Sequence, residues 1–396
     1  MHSAGRRRRT AFFTASNQRV EMKIAIVGCG YVADFYMTTL ANHPELELGG
    51  VYDRDAGRLA AFSRHYGAKA FGSLAALLAD REVGLVLNLT NPHSHFAVTK
   101  AALEAGKHVY SEKPLAMAYE DAESLVALAE AKGLSLSGAP ASSLGEAGAA
   151  VKAAVAAGKV GRVRLVYAEL EDGPVFLEPL HKWRSVSGAP WPARDEFKVG
   201  CILEHAGYYL TWMCAMFGPV ERMTTFASRR YEDKLTGQSP PEIAADFSTA
   251  CLEFASGVVA RITCGLVAPQ DRSLHIVGDE GVLTVMDAWA SRGAIYLRSP
   301  TGEAPGLAGR LLHRLQRHLP GRSFLGRRLP VAKFKGKLPA YPSCMDFARG
   351  PASQAAAIAQ GETPQLSARF VLHITEIALA MQGALGGAVV TLRSRF

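Results

Sequence analysis

Lys23-Ile-Ala-Ile-Val-Gly28-Cys-Gly30-Tyr31-Val32-Ala33 is the stretch on which the reading of this chain turns. Lys23 to Val27 is a near-continuous apolar run, the pattern of a strand buried on both faces of a parallel sheet. Gly28 permits a tight turn at its end, and Gly30 lets the backbone approach a pyrophosphate at a helix N-terminus. Ala33, small where a third glycine is usual, lets the following helix, to about Asn42, lie close on the strand. A second apolar run, Leu46 to Tyr52, ends on Asp53, twenty residues past Ala33. A carboxylate there accepts hydrogen bonds from the ribose hydroxyls of NAD. Arg54 beside it can instead meet a 2′-phosphate if Asp53 swings away, so NADP stays open.

Working outward, the same grammar repeats. Apolar strands are expected at Gly84–Leu89, His108–Ser111 and Leu134–Ser137, with helices at Ala56–Tyr66, Leu74–Ala79, His93–Ala105 and Tyr119–Lys132. Repeated βα units over residues 22–140 imply a Rossmann-type, doubly wound parallel sheet. After Pro140 an alanine-rich helix, Gly145–Ala157, leads into strands at Arg162–Leu170, Val220–Ser228, Ala244–Phe254, Val258–Leu266, Ser273–Val277 and Gly281–Met286. Short turns between the later ones imply a large, mainly antiparallel open sheet in an α+β domain spanning residues 141–396. One helix, Cys201–Phe217, interrupts the strands. Two closing helices, Cys344–Gln360 and Ser367–Met381, fall within residues 344–383.

The chain has 396 residues, 48% hydrophobic and 20% charged, which excludes a disordered chain and favours two domains. Its formal charge of +8 would suggest nucleic acid if it were spread over one face. It is not. Arg6 to Arg9 carry four of the charges, and nine more lie between Arg310 and Lys337, inside a basic insert at residues 304–340. Without these thirteen the rest of the chain is formally −5, so neither nucleic acid nor a membrane is an expected partner. Residues 1–21 read as a disordered leader, its apolar stretch too short for an export signal. Six scattered cysteines without a C-x-x-C pair read as buried free thiols in a cytoplasmic protein, and no spacing of His, Cys and acids suggests a metal.

Lys113 lies just beyond the fourth strand's carboxyl end, where ligands collect in open α/β sheets. Its ammonium can hydrogen-bond a substrate hydroxyl and stabilise alkoxide character, with Glu112 placed to orient it and Pro114 to stiffen the turn. Further on, Glu204 and Tyr208 are four apart and share a helix face, while His205 points about 100° away from Glu204. A tyrosine can serve as acid or base if a nearby lysine stabilises its phenolate, and Lys113 is the candidate. His205 is the rival. Before that helix, Trp183 offers a flat apolar face to a sugar ring, and Lys182 and Arg184 offer charge to hydroxyls or a phosphate.

These segments resemble the glucose–fructose oxidoreductase / inositol dehydrogenase group, Gfo/Idh/MocA, over Met22 to about Leu392. The carriers are the glycine turn, Thr90-Asn-Pro-His-Ser-His95, Ala105-Gly-Lys-His-Val-Tyr-Ser-Glu112-Lys113-Pro114-Leu115 and Gly200-Cys-Ile-Leu-Glu204-His205-Ala-Gly-Tyr208-Tyr-Leu210. The resemblance implies that Lys113 contacts both substrate and nicotinamide ribose, and that Tyr31, Val32, Thr90, Asn91, His95 and Glu112 line the cofactor. It implies a homodimer or homotetramer as well. The chain departs from the family's usual pattern in having Glu204 and Tyr208 where aspartate and histidine are common, and Ala206 where glycine is usual.

The expected function is hydride transfer between NAD(P) and a secondary hydroxyl or carbonyl of a sugar, polyol or sugar derivative, the substrate neutral, phosphorylated or nucleotide-linked. Tyr208 would move the proton, Lys113 polarise the oxygen and Glu204 orient the pair. The family also contains redox-neutral NAD-dependent glycosidases and dinucleotide-sensing regulators, which are the alternatives. For the basic insert three readings stand: solvated surface, a phosphate-binding lip, or a contact with nucleic acid or membrane.

Overall fold

The computed structural model describes residues 22–237, 239, 242–300, 326–340, 344–383 and 387–396. The leader and the stretch of the basic insert holding Arg310, Arg314, Arg317 and Arg322 lie outside the described residues. The first sheet contains β1 (Met22–Val27), β2 (Leu46–Tyr52), β3 (Leu85–Asn88), β4 (His108–Ser111) and β5 (Leu136–Gly138), all parallel, in the order β2-β1-β3-β4-β5. Helices α1 (Ala33–Leu40), α2 (Ala56–Tyr66), α3 (Leu74–Ala79), α4 (Pro92–Glu104) and α5 (Tyr119–Ala131) connect its strands. The buried runs in β1 and β3 are fully apolar save Asn88, as a sheet covered on both faces requires.

Strand order reverses at β1, and the register there sets the site. Val27 pairs with both Tyr52 and Asn88, and Asn88 pairs with Ser111. The next residues along these strands, Gly28, Asp53, Leu89 and Glu112, therefore emerge in one row at the carboxyl ends. This is the crevice that a doubly wound sheet offers to ligands.

The second sheet has nine described strands in the order β13-β12-β11-β10-β6-β9-β8-β7-β14. They are β6 (Val163–Glu171), β7 (Val220–Ser228), β8 (Phe247–Phe254), β9 (Val259–Gly265), β10 (Leu274–Gly278), β11 (Val282–Val285), β12 (Ile295–Arg298), β13 (Arg327–Arg328) and β14 (Ala388–Thr391). Only β6 and β9 among them run parallel; the other neighbours are antiparallel. Three strands are absent from the sequence reading. Both edge strands lack its signal: β13 is two arginines, and β14 follows a glycine run that reads as a turn.

Helix α6 (Glu146–Ala156) links the two sheets, and α7 (Ala193–Phe217) packs on β8 and β9. Expected from Cys201, α7 in fact begins eight residues earlier and is broken at Gly200 (φ 85°, ψ 166°). A Cβ at Gly200 would stand 2.5 Å from the Ala244 Cβ, so both space and backbone there require glycine. Of the closing helices, α8 (Arg349–Gln360) packs on β4 and β5 of the first sheet, and α9 (Ala368–Gln382) reaches from β5 to β7 and β8 of the second. Gln354 donates to Val109 O at 3.0 Å, and Leu115 N donates to Thr375 Oγ1 at 3.3 Å, directly behind the Lys113 turn. Buried His373 accepts from Val220 N at 2.9 Å, tying α9 to β7.

No cysteines are paired among the described residues, and four are buried; Cys251 is exposed and Cys344 half-buried, against the expectation that all six are. No described helix is long and apolar enough to cross a membrane.

Candidate active site

A cavity of about 640 Å³ opens along the row of strand ends and continues against α7. At its cofactor end Gly28 (φ +100°) makes the turn, and a Cβ there would lie 2.6 Å from the Leu89 carbonyl. A Cβ on Gly30 would meet nothing within 4 Å, so the backbone at the N-terminus of α1 is bare toward the cavity. This is the opening a pyrophosphate needs. Tyr31 and Val32 line the cavity beside it, whereas Ala33 is fully buried between α1 and the sheet and does not.

Asp53 is held from several sides. Cys29 N donates to its Oδ2 at 2.9 Å and Asp55 N to its Oδ1 at 2.8 Å, while the Arg58 guanidinium reaches both oxygens at 3.3–3.4 Å. A carboxylate so anchored does not readily swing aside, contrary to the sequence reading of how NADP would fit. Arg54 and Arg58 both line this end, and Arg58 went unnoticed in the sequence because it sits inside α2.

Thr90, Asn91 and His95 lie where expected, along the cavity at the start of α4. Thr90 donates to Asn88 Oδ1 at 2.7 Å, and Asn91 Oδ1 accepts from Ser94 at 2.8 Å. The His95 ring is buried between the Pro114 carbonyl (Nδ1, 2.6 Å) and the Thr90 carbonyl (Nε2, 2.9 Å). Burial lowers its pKa, more than the two carbonyls raise it. His95 thus braces the Lys113 turn against the Thr90 loop.

Lys113 is ion-paired to Glu204 in a nearly enclosed setting. Burial alone would lower its pKa, but Glu204, helped by Tyr208, Glu196 and Glu112, reverses this and raises it. Glu112 does not orient the ammonium: it accepts from Tyr36 Oη at 2.8 Å and from the Lys113 backbone N–H at 3.1 Å. It shapes the turn, and Glu204 takes the charge.

Tyr208 lines the cavity and stacks on Trp289 with ring centroids 4.5 Å apart. Burial raises its pKa, and the opposing effect of Lys113 is smaller. A phenolate stabilised by Lys113 is therefore not what the geometry provides; the phenol stays neutral. His205 also lines the cavity, because the cavity wraps more than one face of α7. Its Nε2 is 3.5 Å from Asp172 Oδ2, and Arg272 holds Asp172 through Oδ1 at 2.6–2.8 Å. His205 Nδ1 is buried without a partner, and burial lowers the imidazole pKa.

Trp183, Trp191 and Trp289 also line the cavity, the first two in edge contact at 5.2 Å. Arg184 does not join them: it is exposed and donates to Gly188 O at 3.1 Å, bracing its own loop, and Lys182 also lies off the cavity. From the same loop Ser187 donates to Asp34 Oδ2 on α1 at 2.7 Å, fastening the loop to the nucleotide half. In the basic insert, Arg327 and Arg328 pair with Leu297 and Tyr296 on the sheet edge, away from the cavity. Lys337 binds Asn42 through its backbone. The described part of the insert thus forms no phosphate-binding lip. No group of side chains suited to a metal occurs among the described residues.

The model of an oxidoreductase family with an NAD-binding Rossmann fold matches residues 22–138, and that of the GFO/IDH/MocA C-terminal domain matches residues 149–284. The chain belongs to the Gfo/Idh/MocA family. Among its relatives, trans-1,2-dihydrobenzene-1,2-diol dehydrogenase of Bos taurus is 25% identical over 288 residues, 72% of this chain and 80% of the relative. D-apiose dehydrogenase of Paraburkholderia graminis is 26% identical over 272 residues, 66% of each chain. Aldose-aldose oxidoreductase from Caulobacter crescentus, solved with glycerol, superposes with a TM-score of 0.72 at 18% identity, covering 94% of this chain and 100% of that one. At that identity it speaks for the fold alone.

This Gfo/Idh/MocA protein is an NAD(P)-dependent oxidoreductase, and its residues fit the cofactor: a bare glycine turn, the buried Asp53 carboxylate and Lys113 in one row. Asp172, Glu196, Arg272 and Trp289 escaped the sequence reading. Each belongs to a segment without a motif: Glu196 to the part of α7 before Gly200, Asp172 to the residue after β6, Arg272 to the turn before β10 and Trp289 to the turn after β11.

Proposed function

We propose that this oxidoreductase interconverts a secondary alcohol and ketone on a neutral, ring-like polyol or cyclic diol, with NAD as its preferred cofactor. The observation that carries the reading is the Lys113–Glu204 ion pair with Tyr208 beside it, set in the crevice next to the Gly28-Cys-Gly30 turn. The nicotinamide, when bound, supplies or accepts hydride. Gly30 and the N-terminus of α1 would hold the pyrophosphate, and Asp53 the adenine-side ribose.

The chain's own residues do the rest. Lys113 donates to the reacting oxygen and stabilises negative charge on it. Glu204 keeps that ammonium aimed, Tyr208 gives or takes the hydroxyl proton, and the three tryptophans shield an apolar ring face from water. Apart from histidines, the cavity's basic side chains among the described residues are Arg54, Arg58 and Lys113. The first two stand beside Asp53 and the third is paired to Glu204, so hydroxyls suit the rest of the cavity better than a phosphate.

The test is NADH formation from NAD+ with trans-1,2-dihydrobenzene-1,2-diol, D-apiose and a panel of cyclic polyols. Lys113→Met should lower kcat by about 100-fold or more while leaving NAD+ binding within a few-fold. Unchanged turnover in that variant would refute the role given to Lys113.

A further inference from the structure

Glu196 lines the cavity on the same helix as Glu204. It stands in the last turn of α7 before the break at Gly200, and Glu204 in the first turn after it. On a straight helix, eight residues would separate them by about 12 Å along the axis, too far for contact. The non-helical backbone at Gly200 changes this. The two carboxyl groups are in hydrogen-bond contact, with Lys113 facing both.

An ionised carboxylate only accepts hydrogen bonds, so two carboxyl groups in contact must hold a proton between them. Charge balance gives the same answer. One buried ammonium neutralises one carboxylate, and a second ionised carboxylate would leave the cluster with an uncompensated negative charge. We propose that Glu196 and Glu204 share a single proton and that Glu196 is the relay through which the site exchanges that proton with water.

The inference rests on the functional reading above and completes it. Tyr208 is neutral, so it can take a proton from a substrate hydroxyl only by handing its own onward. Glu204, one turn back on the same helix, accepts that proton as Glu196 releases one to water, and the pair is left again with one. Over a turnover the substrate O–H bond breaks and one proton reaches solvent; reduction runs the same steps in reverse. Glu196 acts through Glu204 and is a positioning residue in this scheme. The charged and titratable groups around the pair are Lys113 and Glu112 from the turn after β4, His205 and Tyr208 from α7, Asp172 from the end of β6, and Asp195 from Glu196's own turn.

Infrared difference spectra of the full-length protein at neutral pH, without cofactor or substrate, test the shared proton. The wild-type protein should show the carbonyl absorption of a neutral carboxylic acid, and both Glu196→Gln and Glu204→Gln should lose it. An absorption missing from the wild type, or surviving either substitution, overturns the sharing. With NAD+ and trans-1,2-dihydrobenzene-1,2-diol, Glu196→Gln should lower kcat by about 100-fold and flatten its pH profile without changing the KM for NAD+. Turnover unaffected at every pH overturns the relay. A wild-type protein that shows the absorption yet reduces no NAD+ with any substrate of the panel overturns the functional reading instead, and leaves the shared proton standing.

Discussion

At the scale of single residues, the site separates charge from proton. Lys113 is locked as an ammonium by Glu204, while burial holds Tyr208 as a neutral phenol. Tyr208→Phe removes the transferable proton and keeps the stack on Trp289, so kcat should fall by about 100-fold with fluorescence-measured NAD+ affinity unchanged. A variant that keeps wild-type kcat would hand the proton to His205, whose Nδ1 has no partner. Residues tied to a local pattern were legible in the sequence: Gly28, Gly30, Asp53 and Lys113 follow strand ends, and the i, i+4 spacing marks Glu204 and Tyr208. What could not be read was which partner each would find. Glu112 looks like the natural companion of Lys113 but turns to Tyr36, 76 residues away in the chain, because the Tyr36 hydroxyl is buried on α1 and needs an acceptor.

At the scale of elements, the break in α7 is the decisive feature. Its apolar periodicity announces the helix from Cys201 onward, and nothing local announces that Gly200 turns the chain rather than ending it. The requirement comes from outside: Ala244 N donates to Phe197 O at 2.9 Å and Cys201 N to Ala245 O at 3.3 Å, so a neighbouring loop plugs the gap in the helical ladder. Gly200→Ala places a Cβ against Ala244 and forces φ 85° on an L-residue, which should cost about 1–3 kcal/mol of stability in urea unfolding. Activity should drop further than stability, since the break also sets Glu196 beside Glu204. A stable, fully active Gly200→Ala protein would refute both statements. Edge strands β13 and β14 were illegible for a simpler reason: pairing on one side alone demands little of their sequence.

At the scale of the whole molecule, the two sheets and closing helices were legible as a βα series followed by turn-separated strands, while the ties between them were not. His373 is one such tie. Burial lowers its pKa from 6.5 to about 4, against the opposing pull of Glu376. The unfolded chain therefore takes up a proton at this residue before the folded one does. Stability from the neutral imidazole is fully present above pH 6.5 and is lost as pH falls toward 4, by up to roughly 3 kcal/mol. His373→Asn should be less stable than wild type at pH 7 in thermal unfolding, with the gap narrowing by pH 5. A gap of constant size would assign the pH dependence elsewhere.

The Ser187–Asp34 hydrogen bond has a consequence for anyone recombining this protein with its relatives. The loop that supplies Trp183 and Trp191 belongs by sequence to the second domain, yet it is fastened to the first helix of the nucleotide domain. A chimera joined at the obvious seam near Pro140 would inherit one partner without the other, and Asp34 would be left buried with one acceptor idle. Productive crossovers should therefore carry positions 34 and 187 as a unit, and libraries that ignore the pair should return folded proteins whose tryptophan wall stands in the wrong place.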